Sequence, residues 1–181
     1  KNPADIASRA TPSGQHGSVA PAFVRGMLAG ARHAGMDAAA LLADVGIDPA
    51  CLTDDACRVP IADYAALYNH LNAALDDEAF GLFPTPMRVG CFEFLCRSAI
   101  TAPHLEEAMR RAIRFLRVVL PAMDVRVCRR GDAGIVEIAE NRPLPIGRVF
   151  AYEWLLRLLH GLACWLVGRG IALDAVDFPY P

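Results

Sequence analysis

Apolar positions recur at a helical period along most of this chain and at a period of two in only two places. The clearest stripe runs through Leu105, Ala108, Met109, Ala112, Ile113, Leu116 and Leu120, one face of a helix. Glu106 and Glu107 stand in its first turn and Arg114 and Arg117 near its end, which complements the helix dipole. Glu106–Arg110 and Glu107–Arg111 have the i,i+4 spacing of helical ion pairs. Pro103 fits the start of this helix, with Thr101 or Ala102 just before it. The preceding stretch, Val89 to Ile100, is apolar without a decisive period and is read as a buried segment, helix favoured over strand.

The other elements follow from the same rules. Ser18 to Gly35 reads as a helix, with Ser18 as cap, Phe23, Met27, Ala31 and Ala34 on one face, and Gly35 as the stop. Asp37 caps a short helix ended by Gly46. Pro60 opens a helix striped by Ile61, Tyr64, Leu67 or Tyr68, Leu71 and Leu75, with Asp76, Asp77 and Glu78 on its solvated end. Arg148 to Val167 predicts a long helix whose face carries Phe150, Trp154, Leu158, Leu162 and Trp165. The period of two appears between Asp124 and Ala139, around Gly131-Asp132, which predicts a hairpin, and again from Ile171 to Phe178, which predicts a strand. This order predicts an α+β domain over residues 18–181, with helices packed on a small antiparallel sheet and a mostly helical N-terminal part. Residues 1–17, polar and rich in Ala, Gly, Ser and Pro, read as a flexible tail.

Composition narrows the class. A hydrophobic content of 54% against 21% charged is enough for a sizeable core. The net charge of -2 gives no general attraction to phosphates, so nucleic-acid binding is not expected of this segment. Six cysteines without a CxxC pair or a secretory signal read as buried free thiols in a reducing cytoplasm. The longest apolar stretches are interrupted by Arg or Glu before they reach a membrane-spanning length, so no membrane partner is expected.

Motifs for chemistry are scarce. GxSxG, HExxH, GxxxxGK[ST] and GxGxxG are absent, so no enzyme, metal site or cofactor is expected. Glu93 and Arg97 are spaced to pair on one helical face, as an edge salt bridge or as a polar pair lining a small-molecule pocket. Tyr152 and Trp154 interrupt the long helix and are further ligand candidates beside their reading as core. Leu158, Leu162 and Trp165 are candidates for a dimer interface.

Four stretches, GMDAAALLADVGIDPACL, VPIADYAALYNHLNAALDDEAFGL, MRVGCFEFLCRSAITAPHLEEAMRRAIRFLRVV and ALDAVDFPYP, occur in an order that resembles the N-terminal, arabinose-binding-like sensing domain of AraC-type bacterial regulators. Leu105, Glu107 and Ala108 stand at places that match this pattern. The resemblance covers about Ser18 to Pro181. Where the family usually has Gly and a Gly-Tyr pair, this chain has Glu93, Cys96 and Arg97. The resemblance implies a cytoplasmic regulator that binds a small-molecule effector, forms a homodimer, and contacts DNA only through a C-terminal helix-turn-helix domain beyond this chain. The alternative is a haem- or gas-sensing domain using His104 or His160.

Overall fold

The computed structural model describes residues 17–180, so the predicted tail lies outside the described residues except for Gly17. The first element among the described residues is a two-residue strand, β1 (Ser18–Val19), paired antiparallel with β2 (Val59–Pro60). Ser18 is therefore not a helix cap. The Arg58 guanidinium donates to its carbonyl at 3.3 Å and to its hydroxyl at 3.2 Å, which favours pairing. The single helix expected here is two, α1 (Pro21–Met27) and α2 (Ala29–His33), joined at Leu28. Val24, Met27, Leu28 and Ala31 enter the core, whereas Ala34 is exposed. Asp37 caps α3 (Ala38–Ala43) as expected, accepting from Ala39 N at 2.8 Å and Ala40 N at 3.3 Å.

A 3-10 helix (Pro49–Thr53) and a turn at 54–57 lead into β2 and then α4 (Ile61–Leu75), which buries Leu67 and Leu71. The turn brings Cys51 and Cys57 together, with Cα atoms 5.5 Å apart, and they form a disulfide. The expectation of six free thiols is corrected for this pair, because the 3-10 helix folds its own short loop back on itself. Cys91, Cys96, Cys128 and Cys164 are free.

The second half is a helical hairpin, a β-hairpin and a long helix. α5 (Cys91–Ile100) confirms the helical reading of the apolar segment but corrects its burial. Leu95 and Ala99 face inward, while Val89, Phe92, Phe94 and Ile100 are exposed. α6 (Leu105–Val119) buries Ala108, Met109, Ala112, Ile113 and Leu116, the expected stripe. Its N-cap is His104 rather than Thr101 or Ala102, with Nδ1 accepting from Glu107 N at 3.3 Å. Both expected ion pairs form, Glu106–Arg110 at 2.6 Å and Glu107–Arg111 at 3.1 Å. β3 (Met123–Arg130) and β4 (Ala133–Glu140) pair in the register Val125↔Ile138 to Arg130↔Ala133. Gly131, at φ 61°, supplies the left-handed first position of the two-residue turn. α6 covers only the near end of the hairpin, so Met123 and Val125 are buried and the tip stands in solvent.

α7 (Arg148–Val167) packs against both α1 and α6 and closes the core. An aromatic chain links it to the N-terminal helices: Phe23–Phe150, Phe80–Phe150, Phe80–Trp154 and Phe83–Trp154, with centroids 5.9–6.4 Å apart. The strand expected from Ile171 to Phe178 does not form, and each sheet among the described residues has two strands. Side chains of α7 take the ladder's place. His160 Nε2 donates to the Ile171 carbonyl at 2.8 Å, and Ile171 N donates to Cys164 Sγ at 3.3 Å.

Candidate functional site

The acidic triplet after α4 organises the connector that positions α5. It was expected on the solvated end of α4; instead, Asp77 is only 2% exposed and is the buried charged residue of the described core. Its carboxylate accepts from Ala79 N at 2.9 Å, Gly81 N at 2.8 Å and Met87 N at 2.8 Å. Glu78 accepts from Gly90 N at 2.9 Å and Phe92 N at 2.7 Å, which satisfies donors at the start of α5. Asp76 pairs with Arg88 at 2.7 Å. Phe80 sits in this connector at φ 58°, a strained conformation for a bulky side chain. Tyr68, 4.7 Å away, and Trp154 hold its ring. The buried anion is thus spent on backbone donors, a structural use.

A cleft of about 280 Å³ lies where the end of α5, the start of α6 and the end of α7 meet. Ile100, His104, Leu105, Trp165, Leu166 and Val167 line it. It is slightly smaller than the roughly 300–1,000 Å³ usual for a small-molecule site, and the residues of its walls are mostly apolar. Ile100 is 58% exposed and Trp165 57%, so the cleft opens onto an apolar rim. Glu93 and Arg97 precede Ile100 by seven and three residues on α5, which places all three on one helical face.

The other predicted site residues are distributed as follows. Arg97 and Glu93 pair at 2.6 Å, with both side chains more than half exposed. Tyr152 and Trp154 are buried: Trp154 packs on Phe80 and Phe83, and Tyr152 lies under the Arg148 guanidinium, 5.3 Å from its ring centre. No hydrogen bond or ion pair among the described residues joins these two to Glu93 or Arg97. Leu162 is buried within the chain's own core, Leu158 is half-buried and Trp165 is exposed. The two histidines named for haem are both engaged, His104 as helix cap and His160 with Ile171. Asp77 and the cleft were the features missed. An Asp followed two residues on by Ala and four on by Gly carries a weak signal of such a turn.

The free thiols differ in reactivity. Burial, together with the Glu78 carboxylate, pushes Cys91 and Cys96 above the ordinary thiol range; Asp77 and Asp76 add to this at Cys91. Both stay protonated at neutral pH and are slow nucleophiles. Cys128 is exposed on β3. With iodoacetamide at pH 7.5, peptide mass spectrometry is expected to find Cys128 alkylated first, with Cys91 and Cys96 catching up only as the pH rises past 9. Equal rates at pH 7.5 would contradict this placement.

Residues 35–181 match the family described as the arabinose-binding domain of AraC transcription regulator, N-term. The chain is also similar to an ornithine utilization regulator of Pseudomonas aeruginosa, 26% identical over 148 residues. That alignment covers 81% of this chain and 44% of the relative, so the chain spans less than half the length of that curated relative. No helix among the described residues is long and apolar enough to cross a membrane. With the greater part of its length matched, the chain belongs to the family of N-terminal arabinose-binding domains of AraC transcription regulators.

Proposed function

We propose that this domain binds a small-molecule effector at the α5–α6–α7 cleft, self-associates beside it, and thereby controls a DNA-reading domain outside the chain. The observation that carries the regulatory part is the family match over residues 35–181. The effector chemistry follows from the Glu93–Arg97 pair, which shares a helix face with Ile100 at the cleft. An exposed pair of this kind contributes at most about 1 kcal/mol, so opening it costs little. Once open, Arg97 accommodates a carboxylate and Glu93 an ammonium group, while the apolar cleft takes an aliphatic stem. That is the pattern of an amino acid, and the relative's name points to the same class. A neutral pentose can hydrogen-bond to these groups but carries no charge to pair with either.

Assembly uses the exposed end of α7. Trp165 is exposed at the cleft, with buried Leu162 and half-buried Leu158 three and seven residues before it on the same helical face. An effector that fills the cleft changes the surface that Trp165 presents, and so binds monomer and dimer unequally, which is the requirement for coupling.

Two experiments test these parts. In sedimentation velocity, the chain is expected to dimerise with concentration, and Trp165→Ala to weaken the dimer roughly thirty-fold, the effect of losing about 2 kcal/mol at an aromatic anchor. A monomer at all concentrations, or an unchanged dimer in the variant, would remove this interface. For the effector, Arg97→Ala is expected to weaken binding about 10- to 100-fold, the loss of one charge-assisted contact. The variant should leave the dimer intact. An unchanged affinity would return Arg97 to an ordinary surface pair.

A further inference from the structure

The Cys51–Cys57 disulfide is unexpected in a domain whose family acts on DNA, because transcription regulators work in a compartment whose thiol pools keep most cysteines reduced. A disulfide found there is usually transient and redox-sensing. Four observations bear on which kind this is. The bond closes a loop of short span, with a sequence separation of 6 between the two cysteines. Buried Leu52 and Val59 anchor the chain on either side of the 53–58 segment, so the core holds its shape without the bond. Both cysteines are half-buried and line a surface cleft of about 200 Å³, with Asp48, Arg58 and Asp63 around it, so the bond borders a cleft that a small thiol can enter. The loop is also wired to the rest of the fold. Arg25 of α1 donates to the Leu52 carbonyl at 2.6 Å and to Asp55 at 3.0 Å, and Arg58 reaches Ser18 on β1.

We propose that Cys51–Cys57 is a reversible thiol–disulfide switch that sets whether the 53–58 loop is clamped against α1 and β1. Reduction takes two small thiols. The thiolate of the first attacks one sulfur and forms a mixed disulfide, and the other cysteine leaves as a thiolate and takes up a proton. The thiolate of the second attacks the small-molecule sulfur of the mixed disulfide and displaces the remaining cysteine as a thiolate, which takes up a proton; two electrons have passed to the protein, and one small disulfide is released. Oxidation runs the same exchange backwards with a small disulfide. With a hydroperoxide, one cysteine becomes a sulfenic acid as an alcohol or water leaves, and the second expels water to close the bond. Burial and the Glu78 carboxylate make Cys91 and Cys96 poor partners for exchange, whereas exposed Cys128 reacts independently and is followed as a separate peptide. In the reduced form, residues 53–58 are held only by hydrogen bonds and the exposed Arg25–Asp55 pair. The inference rests on the regulator reading only for the reducing compartment.

The test is a titration of the 181-residue chain in buffers of reduced and oxidised glutathione, quenched by alkylation and read by mass spectrometry. Amide exchange is followed in the same samples. The expected result is that Cys51 and Cys57 are labelled together in the reduced buffer and protected in the oxidised one. Amide exchange across 53–58 should rise roughly ten-fold or more on reduction while that of α6 and α7 stays unchanged. The double variant Cys51→Ser/Cys57→Ser should show the reduced exchange pattern in both buffers. A pair that resists excess reduced glutathione is a structural disulfide and overturns the proposal. So does a pair that never closes in oxidised glutathione, or one that interconverts with no change in exchange. If the variant does not fold, the wild-type titration decides alone. No effector or DNA enters the experiment, so its failure and a failure of the effector reading are separate results.

Discussion

Asp77→Ala is expected to destabilise the domain by about 3–5 kcal/mol, because it strands three donors at once in a buried turn. Ala79 N, Gly81 N and Met87 N all lose their acceptor, and the alanine methyl accepts no hydrogen bond in its place. Asp77→Asn is the informative partner. Its single carbonyl oxygen can replace Oδ1, which serves Ala79 N and Met87 N, but its NH₂ then faces Gly81 N, donor against donor. The expected cost is about 1.5–3 kcal/mol, intermediate between wild type and alanine. Urea denaturation followed by circular dichroism measures both. A loss below about 1 kcal/mol for Asp77→Ala would mean that water replaces the carboxylate and that the turn is not the keystone of the connector.

The second large effect is at Gly30, where two tendencies oppose one another. Glycine inside a helix costs about 1 kcal/mol relative to alanine, so propensity alone predicts that Gly30→Ala stabilises α2. The packing predicts the reverse. A Cβ at this position would stand 1.7 Å from the Phe80 carbonyl oxygen and 2.8 Å from the Gly81 carbonyl carbon. Both obstacles are backbone, in the turn that Asp77 fixes and Phe80 strains, so neither yields by a rotamer change. Moving α2 off this turn disturbs the aromatic packing behind it, at a cost of about 3 kcal/mol or more. For a domain of this size that lowers the Tm by roughly 10 °C. Scanning calorimetry showing a raised Tm for Gly30→Ala would refute this close approach.

How much of this was legible from residues alone depends on the range of the interaction. α6, α7 and the β3–β4 hairpin were readable because each announces itself locally. α6 has a clean stripe with paired charges, α7 a broad apolar face, and the hairpin a Gly-Asp turn between β-branched runs. α5 was readable as a helix but not as an amphipathic one. Its largest apolar residues, Phe92 and Phe94, point outward, while the inward face is carried by smaller Leu95 and Ala99. Bulk misled where spacing would not have. The strand expected after α7 failed for a different reason. Its alternation was real, but no partner strand lies beside it among the described residues, and Ile171 bonds to His160 and Cys164 instead.

The site was less legible than the fold. Asp76, Asp77 and Glu78 read as a solvated helix end because acidity usually means surface. Only the fold shows that the chain up to Phe92, fourteen residues past Glu78, turns back and aims several of its N–H groups at them. The cleft joins Ile100 and His104 to Trp165, more than sixty residues along the chain, and no local pattern encodes that meeting. What the sequence did mark was the Glu93–Arg97 pair, because i,i+4 spacing is a local relation. Its neighbour at the cleft, Ile100, gives the pair its proposed role.

The decisive question is whether this domain recognises an amino acid, with Arg97 holding its carboxylate, Glu93 an ammonium group and the edge of the cleft its aliphatic stem. Isothermal titration calorimetry of L-ornithine and, separately, L-arabinose into the wild-type chain tests it directly. The account predicts saturable one-to-one binding of L-ornithine, weakened about 10- to 100-fold by Arg97→Ala, and no saturable heat with L-arabinose. Saturable binding of L-arabinose with none of L-ornithine, or L-ornithine binding indifferent to Arg97, would contradict it.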